Sequence, residues 1–378
     1  MSNNIDFIYF DAGGGHRAAA TALKAVVEQQ QRPWNVRLVN LQEILDSLDI
    51  FRKITGIRLE DVYNLVLRKG WTMGSAQLLV AMHGIIRMYH PAQVRLLTEF
   101  WSRETPDMVV SLVPNFNRAM RQALQAINPR IPYVTTITDF ADYPPHFWME
   151  RQAQHMICGT ERAVKQAKQM GYGDDHIHLV SGMILRQRFY EETDLDVAAQ
   201  RVRLGLRPDL PTGLVLFGGE GSTSMMDIAR ALDRSERPLQ LIFICGRNKK
   251  LRQRLTDLPS RYPRFIEGFT SEIPYYMGVS DFFIGKPGPG SISEALAMKL
   301  PVMVVSNAWT LPQERYNAEW VREKQVGVVL RSFADVERGI AELIEPGNFA
   351  RFRANAAAIH NRAVFEIPEI LERILEAR

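Results

Sequence analysis

Short apolar segments alternate along this chain with longer stretches that repeat at helical spacing. In the first half the apolar segments are Asp6–Phe10, Val36–Val39, Met108–Ser111, Tyr133–Ile137 and His155–Cys158. In the second half they are Leu214–Phe217, Gln240–Cys245, Arg264–Glu267, Phe282–Gly285, Val302–Val305 and Gly327–Leu330. Near-continuous apolar strands are typical of a parallel sheet that is covered on both faces by crossover helices. The pattern therefore predicts an α/β protein with one parallel sheet in each half.

The length of the chain predicts more than one domain, because 378 residues exceed what a single hydrophobic core usually serves. We place a first domain at 1–190, a second at 191–345 and a helical tail at 346–378. The polar run Glu191–Pro211 predicts a linker with a short helix between the two domains.

The stretch 43–100 interrupts the strand–helix alternation with helical patterns that are rich in both apolar and basic residues. One interpretation is an amphipathic surface that meets a membrane or an acceptor. The other is a set of helices that pack on their own domain, and the pattern alone favours this second interpretation.

The composition, 46% hydrophobic and 23% charged, is that of an ordinary globular protein. The net charge of +4 suits an anionic partner, such as a nucleotide, a nucleic acid or an acidic lipid surface. Cys158 and Cys245 each end an apolar stretch, which predicts buried free thiols. The first residues lack the features of a signal peptide, and no run of about 18 apolar residues occurs, so we expect a cytoplasmic protein.

The first glycine-rich motif, Phe10–Ala20, follows a predicted strand and begins a helix. Gly13, Gly15 and Ala18 fit the dinucleotide-binding pattern G-x-G-x-x-A, which would indicate an NAD-dependent oxidoreductase. Such a site also needs an acidic residue at the end of the second strand, where this chain has Asn40. The missing carboxylate weakens the oxidoreductase alternative.

His16 lies at the start of that helix, where the helix dipole disfavours a protonated ring. A neutral histidine beside a glycine-lined cleft can act as a general base toward a hydroxyl group. Asp11 and Asp139, each at the end of a strand, are candidates to orient it. The alternative is a histidine that only makes local hydrogen bonds.

Motifs of the second half suit a sugar nucleotide, because they combine glycine turns, helix starts and polar side chains at the ends of successive strands. The helix that opens at Ser291 is a candidate anion site. Glu294, one turn later, can bind the two hydroxyls of a ribose, and Phe269 can cover a base. Arg247, beside Gly246 at the end of a strand, suits a phosphate. The polar cluster of Gln313, Glu314 and Asn317 can bind sugar hydroxyls.

Together these motifs resemble those of the inverting GT-B glycosyltransferases related to monogalactosyldiacylglycerol synthases. The resemblance extends more distantly to the N-acetylglucosaminyltransferase of peptidoglycan lipid-intermediate synthesis. It covers about Asp6 to Val329 and rests on Asp11 with Gly13–His16, Thr138-Asp139, Gly218–Gly221, Ile244–Leu251, Glu267–Phe269, Pro287–Ala295 and Gln313–Asn317.

The resemblance implies a GT-B fold of two Rossmann-like domains, with the active site in the cleft between them. It implies a UDP-sugar donor, UDP-galactose or UDP-glucose, without an obligatory cofactor or metal and without a nucleic-acid partner. Phe269 and Thr270 would then meet the uracil, Glu294 the ribose, and Gln313 and Glu314 the hexose. Pro289, Gly290 and Ser291 would hold the diphosphate. The other donor-side positions are Gly219, Gly221, Gly246, Arg247 and Asn317.

On the acceptor side, the resemblance gives His16 the role of the activating base, with Asp139 as its catalytic partner. Gly14, Gly15, His146 and Trp148 are the other expected acceptor-side residues. The implied acceptor is diacylglycerol or a related lipid, at the cytoplasmic face of a membrane that carries anionic lipids. The terminal helix near Glu366–Ala377 is expected to return to the first domain.

Three departures from the family pattern bear on the acceptor and the donor loop. Phe217 stands where a further glycine is common, the spacing from Asp139 to Trp148 is only approximate, and Gly182–Arg186 lacks the usual proline. Two alternatives therefore stay open beside the lipid acceptor: a soluble small-molecule acceptor, and a UDP-sugar-binding protein without turnover.

Overall fold

The structure, a computed structural model, describes residues 2–11, 14–46, 83–84, 86–143, 147–191, 194–234, 237–308 and 310–377. These residues form two compact units. Unit one combines the N-terminal half up to Gln187 with the segment that starts at Asn361. Unit two runs from Arg188 to His360.

Unit one contains a parallel six-stranded sheet in the order β2-β1-β3-β4-β5-β6 within the described residues. Its strands are β1 (Asn3–Tyr9), β2 (Trp34–Asn40), β3 (Met108–Ser111), β4 (Tyr133–Thr136), β5 (His155–Cys158) and β6 (Ile177–Leu179). Its helices include α1 (Gly15–Gln29), α2 (Leu41–Leu45), α3 (His90–Arg103), α4 (Asn117–Ile127) and α5 (Glu161–Met170).

Unit two contains a second parallel six-stranded sheet, in the order β12-β11-β10-β7-β8-β9 among the residues described. Its strands are β7 (Thr212–Leu216), β8 (Gln240–Ile244), β9 (Arg264–Glu267), β10 (Phe282–Gly285), β11 (Val302–Val305) and β12 (Gly327–Leu330). Its helices include α6 (Val197–Arg203), α7 (Ser224–Asp233), α8 (Lys249–Asp257), α9 (Ile273–Gly278), α10 (Pro289–Ala297), α11 (Arg315–Glu323), α12 (Val336–Leu343) and α13 (Pro346–Ala357). The last helix, α14 (Ala363–Glu376), belongs to unit one.

The two parallel sheets confirm the predicted α/β architecture, and each predicted strand coincides with an observed one to within three residues at either end. The short edge strand β6 was not predicted. Its sequence Ile177-His178-Leu179 has a polar residue at its centre and leaves Leu179 about half exposed, so it lacks the apolar continuity of the inner strands.

The described part of the stretch 43–100 packs on its own unit. Leu97 and Trp101 of α3 are fully buried, and the Trp101 indole donates a hydrogen bond to Asp6 of β1 at 2.9 Å. His90 lies 2.6 Å from the side chain of Gln122 on α4. The predicted docking surface otherwise falls on 47–82, which lie outside the described residues.

The predicted linker contributes a core residue to unit two. Arg201 of α6 is 6% exposed and donates hydrogen bonds to the Val279 carbonyl at 2.9 Å and to Asp281 at 2.8 Å. Asp281 also accepts the backbone N–H of Thr212, at the start of β7. The short helix is therefore fastened to the sheet by a buried ion pair.

The predicted tail 346–378 divides between the two units. Helix α13 belongs to unit two, where it packs beside α10 and α12. Helix α14 packs against α1 of unit one, with an ion pair of 2.7 Å between Arg32 and Glu372.

Candidate active site

The first candidate site lies where the chain order of unit one reverses. β1 pairs with both β2 and β3, so the loops after β1 and β3 diverge from adjacent strand ends. Open parallel sheets bind ligands at such switch points, beyond the carboxyl ends of the strands. The predicted glycine motif and His16 follow β1 and therefore lie at this position.

Gly14 ends the glycine loop in the left-handed region, with φ of 78°, and it precedes the first residue of α1. A side chain would be strained at that angle, which explains the glycine. Gly14 and Gly15 are both exposed, and a Cβ at either position would meet no atom within 4 Å. The loop thus leaves open space beside the start of the helix.

His16 is half-buried, and its Nδ1 lies 3.2 Å from the Thr138 hydroxyl, just beyond β4. Burial lowers the pKa of the imidazole from 6.5 to about 4, although a hydrogen bond with the backbone of Leu112 acts in the opposite direction. The ring is therefore neutral at neutral pH, and burial rather than the helix dipole is the cause. A neutral ring can accept a proton from a hydroxyl group.

Trp148 connects His16 to Asp139. The Trp148 and His16 ring centroids lie 5.9 Å apart, and the indole N–H donates to the Asp139 carboxylate at 2.8 Å. Trp148 is fully buried, so it packs against the imidazole from the protein interior and is not exposed to an acceptor.

Asn117 is a residue of this site that the sequence analysis missed. It is buried at the start of α4, donates to the Trp148 carbonyl at 2.9 Å and accepts from the Tyr133 hydroxyl at 2.7 Å. Thr138, the hydrogen-bond partner of His16, received no role of its own either. For Thr138 the available signal was its position two residues beyond a buried strand, and for Asn117 it was a polar residue at the start of the helix that follows one.

Asp11 forms an exposed ion pair with Arg17 at 3.4 Å, so it pairs with that cation rather than with His16. The predicted acceptor-side residue His146 lies outside the described residues. Asn40, which ruled against a dinucleotide site, begins α2 by accepting the backbone N–H of Gln42 at 3.1 Å.

The second candidate site lies at the switch point of unit two, where β7 pairs with both β8 and β10. Gly218 and Gly221 in the loop after β7 have φ of 73° and 64°. Gly246, after β8, has φ of 59°, and a Cβ there would lie 2.2 Å from the Gly219 carbonyl oxygen. The loops after β7 and β8 therefore touch through their backbones, and Arg247 N–H donates to Gly219 at 2.8 Å.

Arg247 and Phe269 lie together at the ends of β8 and β9. The guanidinium carbon is 4.5 Å from the ring centroid of Phe269, and Arg247 also donates to Glu220 at 3.2 Å. The Phe269 side chain is 61% exposed, which is unusual for a large apolar residue. Thr270, the next predicted residue, accepts the backbone N–H of Glu272 at 3.0 Å. An exposed ring beside a cation can stack on a nucleobase.

Helix α10 follows β10, the strand adjacent to β7 at the switch point. It begins at Pro289, two residues before the predicted start at Ser291, because proline is favoured at the first helical position. No side chain caps this end, and Gly290 is exposed with open space beside it. The first-turn N–H groups are thus available to an anion, and Glu294 follows one turn later, half-buried.

The predicted sugar-binding cluster divides into different roles. Asn317 is fully buried and donates to the Pro287 carbonyl at 2.7 Å, so it holds the loop before α10 rather than presenting its amide to a sugar. Glu314 is 7% exposed and lies 2.9 Å from the Lys286 ammonium. Gln313 is half-buried beside it in the turn Pro312–Glu314.

Within the described ranges, no group of three or more histidine, cysteine or acidic side chains is arranged to hold a metal ion. In that same part of the chain, no helix combines the length and the apolar character that crossing a membrane requires. Cys158 and Cys245 are both buried and free, as their apolar surroundings predicted.

Residues 214–374 match the Glycosyltransferase family 28 C-terminal domain. The chain is 29% identical over 399 aligned residues to a probable monogalactosyldiacylglycerol synthase 2 of Oryza sativa subsp. japonica, covering 99% of this chain and 81% of the relative. It is 28% identical to monogalactosyldiacylglycerol synthase 1 of Arabidopsis thaliana, covering 89% of this chain and 64% of the relative.

Among solved structures, MurG of Acinetobacter baumannii superposes with a TM-score of 0.64 at 11% identity, covering 98% of this chain and 99% of that one. This likeness confirms the GT-B fold.

Proposed function

We propose that this chain, a glycosyltransferase with a family 28 C-terminal domain in its second half, moves a hexose from a UDP-sugar to an acceptor hydroxyl. The observation that carries the proposal is the pair of switch-point sites. One presents a neutral histidine, and the other presents an uncapped helix start after β10 and an exposed aromatic ring after β9. A base and a nucleoside-diphosphate site are the two parts that this transfer needs.

On the donor side, the uncapped start of α10 receives the diphosphate, because its free N–H groups and the helix dipole both favour an anion. The ring of Phe269, backed by Arg247, covers the uracil. Glu294 binds the ribose hydroxyls, and Gln313 and Glu314 bind the hydroxyls of the hexose. We favour UDP-galactose or UDP-glucose, since the related plant enzymes are named as monogalactosyldiacylglycerol synthases.

In the proposed reaction, His16 removes the proton from the acceptor hydroxyl while that oxygen attacks the anomeric carbon. The new bond joins the acceptor oxygen to the anomeric carbon, and the bond from that carbon to the diphosphate oxygen breaks. The departing UDP keeps the electron pair, and the start of α10 stabilises its charge. A single displacement inverts the anomeric configuration, so an α-linked donor yields a β-glycoside.

For the acceptor we propose diacylglycerol or a related lipid, met at the cytoplasmic face of a membrane. Support comes from the named activity of the plant relatives and from the net charge of +4, which suits an anionic surface. A soluble acceptor would fit the same donor site.

The test is a UDP-release assay with UDP-glucose, UDP-galactose and UDP-N-acetylglucosamine, each with and without diacylglycerol in vesicles that contain anionic lipid. We expect release with one UDP-hexose that depends on diacylglycerol, together with co-sedimentation of the protein with the vesicles. Release with a soluble acceptor but without vesicle binding would contradict the lipid acceptor. UDP binding without release under any condition would indicate a non-catalytic binding protein.

A further inference from the structure

Lys286 joins the loop after β10 to the start of α11, two segments that both border the donor site. Its Nζ lies 2.9 Å from Oε1 of Glu314. The lysine side chain is 39% exposed, and the glutamate side chain is 9% exposed. The cation therefore faces the solvent side of a carboxylate that is almost covered.

The carboxylate of Glu314 does not cap α11, the helix that it precedes. Glu314 occupies the N-cap position of α11, yet no side-chain hydrogen bond caps that helix. An acidic residue at this position often bonds the free N–H groups of its own helix. Here the carboxylate turns to Lys286 instead, so the contact across 28 residues replaces the local one.

The lysine–glutamate pair lies against the backbone at the entry to α10. A Cβ at Gly288, the N-cap of α10, would lie 3.3 Å from Cε of Lys286 and 3.7 Å from Oε1 of Glu314. Asn317 makes a second connection between the same segments, through its bond to the Pro287 carbonyl. The position of the Glu314 carboxylate is thus fixed relative to the helix start where we place the diphosphate.

We propose that Lys286 is a positioning residue that holds the Glu314 carboxylate for recognition of the hexose and so contributes to the choice between epimeric hexoses. The inference rests on the proposed function, because Glu314 must face the transferred sugar. The ammonium holds Oε1, which leaves Oε2 to accept a sugar hydroxyl in one fixed direction. Without the ammonium, the carboxylate would be free to rotate, and Oε2 would no longer meet the sugar hydroxyl in one fixed direction.

The experiment compares Lys286→Met and Lys286→Arg with Lys324→Met, which removes an exposed lysine at the end of the same α11. We measure kcat/KM for UDP-galactose and UDP-glucose, and the Kd of UDP and of each UDP-hexose. Lys286→Met should lower kcat/KM for the preferred donor about 10- to 100-fold, the range for loss of a charge-assisted contact, and should reduce the preference ratio. Its Kd for UDP should stay within about twofold, Lys286→Arg should restore most of the preference, and Lys324→Met should match the wild type.

Two results would overturn the inference. If Lys286→Met weakens UDP as much as the UDP-hexose, Lys286 is a diphosphate ligand. If kcat/KM falls equally for both hexoses, the pair only supports the fold. Should Lys286→Met fail to fold, Lys286→Gln, which also removes the charge, takes its place and must show the same loss of preference.

Failure of the proposed function looks different, because the wild type would then release no UDP from any donor. The difference in Kd between UDP and a UDP-hexose still tests Lys286 in that case, since it does not depend on turnover.

Discussion

Burial keeps the ring of His16 neutral. If His16 is the catalytic base, the pH range in which activity falls is therefore shifted to more acidic values. Its pKa is lowered from 6.5 to about 4, so the proton-accepting form is fully populated above about pH 5. We expect kcat/KM to show no loss from His16 between pH 8 and pH 5 and to fall only as the pH approaches 4. A base with the ordinary pKa of 6.5 would lose about fivefold between pH 6.5 and 5.5, and a pH–rate profile separates the two cases.

The same measurement needs a variant in which the base is absent. His16→Ala should lower kcat by about 10²- to 10⁴-fold, the usual contribution of a general base, while the Kd of UDP stays unchanged because we place the UDP site in unit two. The matched control is Arg17→Ala, which removes the exposed neighbour that pairs with Asp11. Turnover retained by His16→Ala would remove this residue from the role of base.

At the residue scale, the sequence predicted positions better than contacts. The sequence placed His16 at a helix start, but the burial that lowers its pKa depends on tertiary packing. Its partner Thr138 lies 122 residues away in the chain, and such a contact depends on the order of the strands. Asn317 was expected to bind sugar because it is polar and follows a strand. Its complete burial and its bond to Pro287 become visible only when α11 packs beside that loop.

At the scale of elements, the pairing of β5 with β6 brings three histidine rings together. Nδ1 of His155 lies 3.2 Å from Nε2 of His178, and the rings of His155 and His176 stack with centroids 4.8 Å apart. Burial is the main cause that lowers the pKa of His155 to about 4, and the charges of His176 and His178 act in the same direction. Burial is also the main cause that lowers the pKa of His178, and the charge of Arg373 adds to it.

These shifts predict that acid destabilises this edge of unit one. Each folded pKa lies below the unfolded value of 6.5, so the stabilising contribution is complete above pH 6.5 and is lost as the pH falls through about 4. Asp175 opposes the shift and Arg121 adds to it. Allowing for partial exposure, the loss is on the order of 1 kcal/mol, or about 2–4 °C in Tm.

The measurement is thermal unfolding of wild type and His155→Gln at pH 7 and pH 4.5. His155→Gln cannot be protonated, so its Tm should fall less on acidification than that of the wild type. An equal fall in both proteins would show that carboxylates elsewhere cause the acid sensitivity.

The elements also show which structural signals a sequence carries. Inner strands such as β3 and β10 are buried on both faces, so their apolar runs mark them with correct bounds. β6 is at the edge and carries His178 in its centre, so no apolar run marks it. The start of α10 was placed two residues late, because Pro289 was taken as part of the turn although it also suits the first helical position.

At the scale of the whole molecule, unit one depends on a helix from the other end of the chain. Five apolar side chains of α14 are buried or nearly buried: Val364, Ile367, Ile370, Leu371 and Ile374. Their burial is worth roughly 8–15 kcal/mol at about 1.5–3 kcal/mol each, which matches the entire stability of a typical domain.

Deletion of residues 361–378 should therefore unfold unit one while unit two retains its sheet. We expect loss of transfer and a loss of helical signal in circular dichroism, with UDP binding retained. Glu372→Gln is the control, because it removes only the half-exposed partner of Arg32 and should cost less than about 1 kcal/mol. A truncated protein that keeps acceptor-dependent turnover would contradict this account.

The closure of unit one by α14 has a consequence for how the protein is made. A ribosome completes unit one only after it has added the roughly 170 residues of unit two, which takes roughly 10–35 s. During that interval unit two can fold, while the face of α1 that receives α14 remains uncovered on the nascent chain. Folding of the half that carries His16 is thus delayed until α14 has been synthesised, and we expect chaperones to bind during the interval before that.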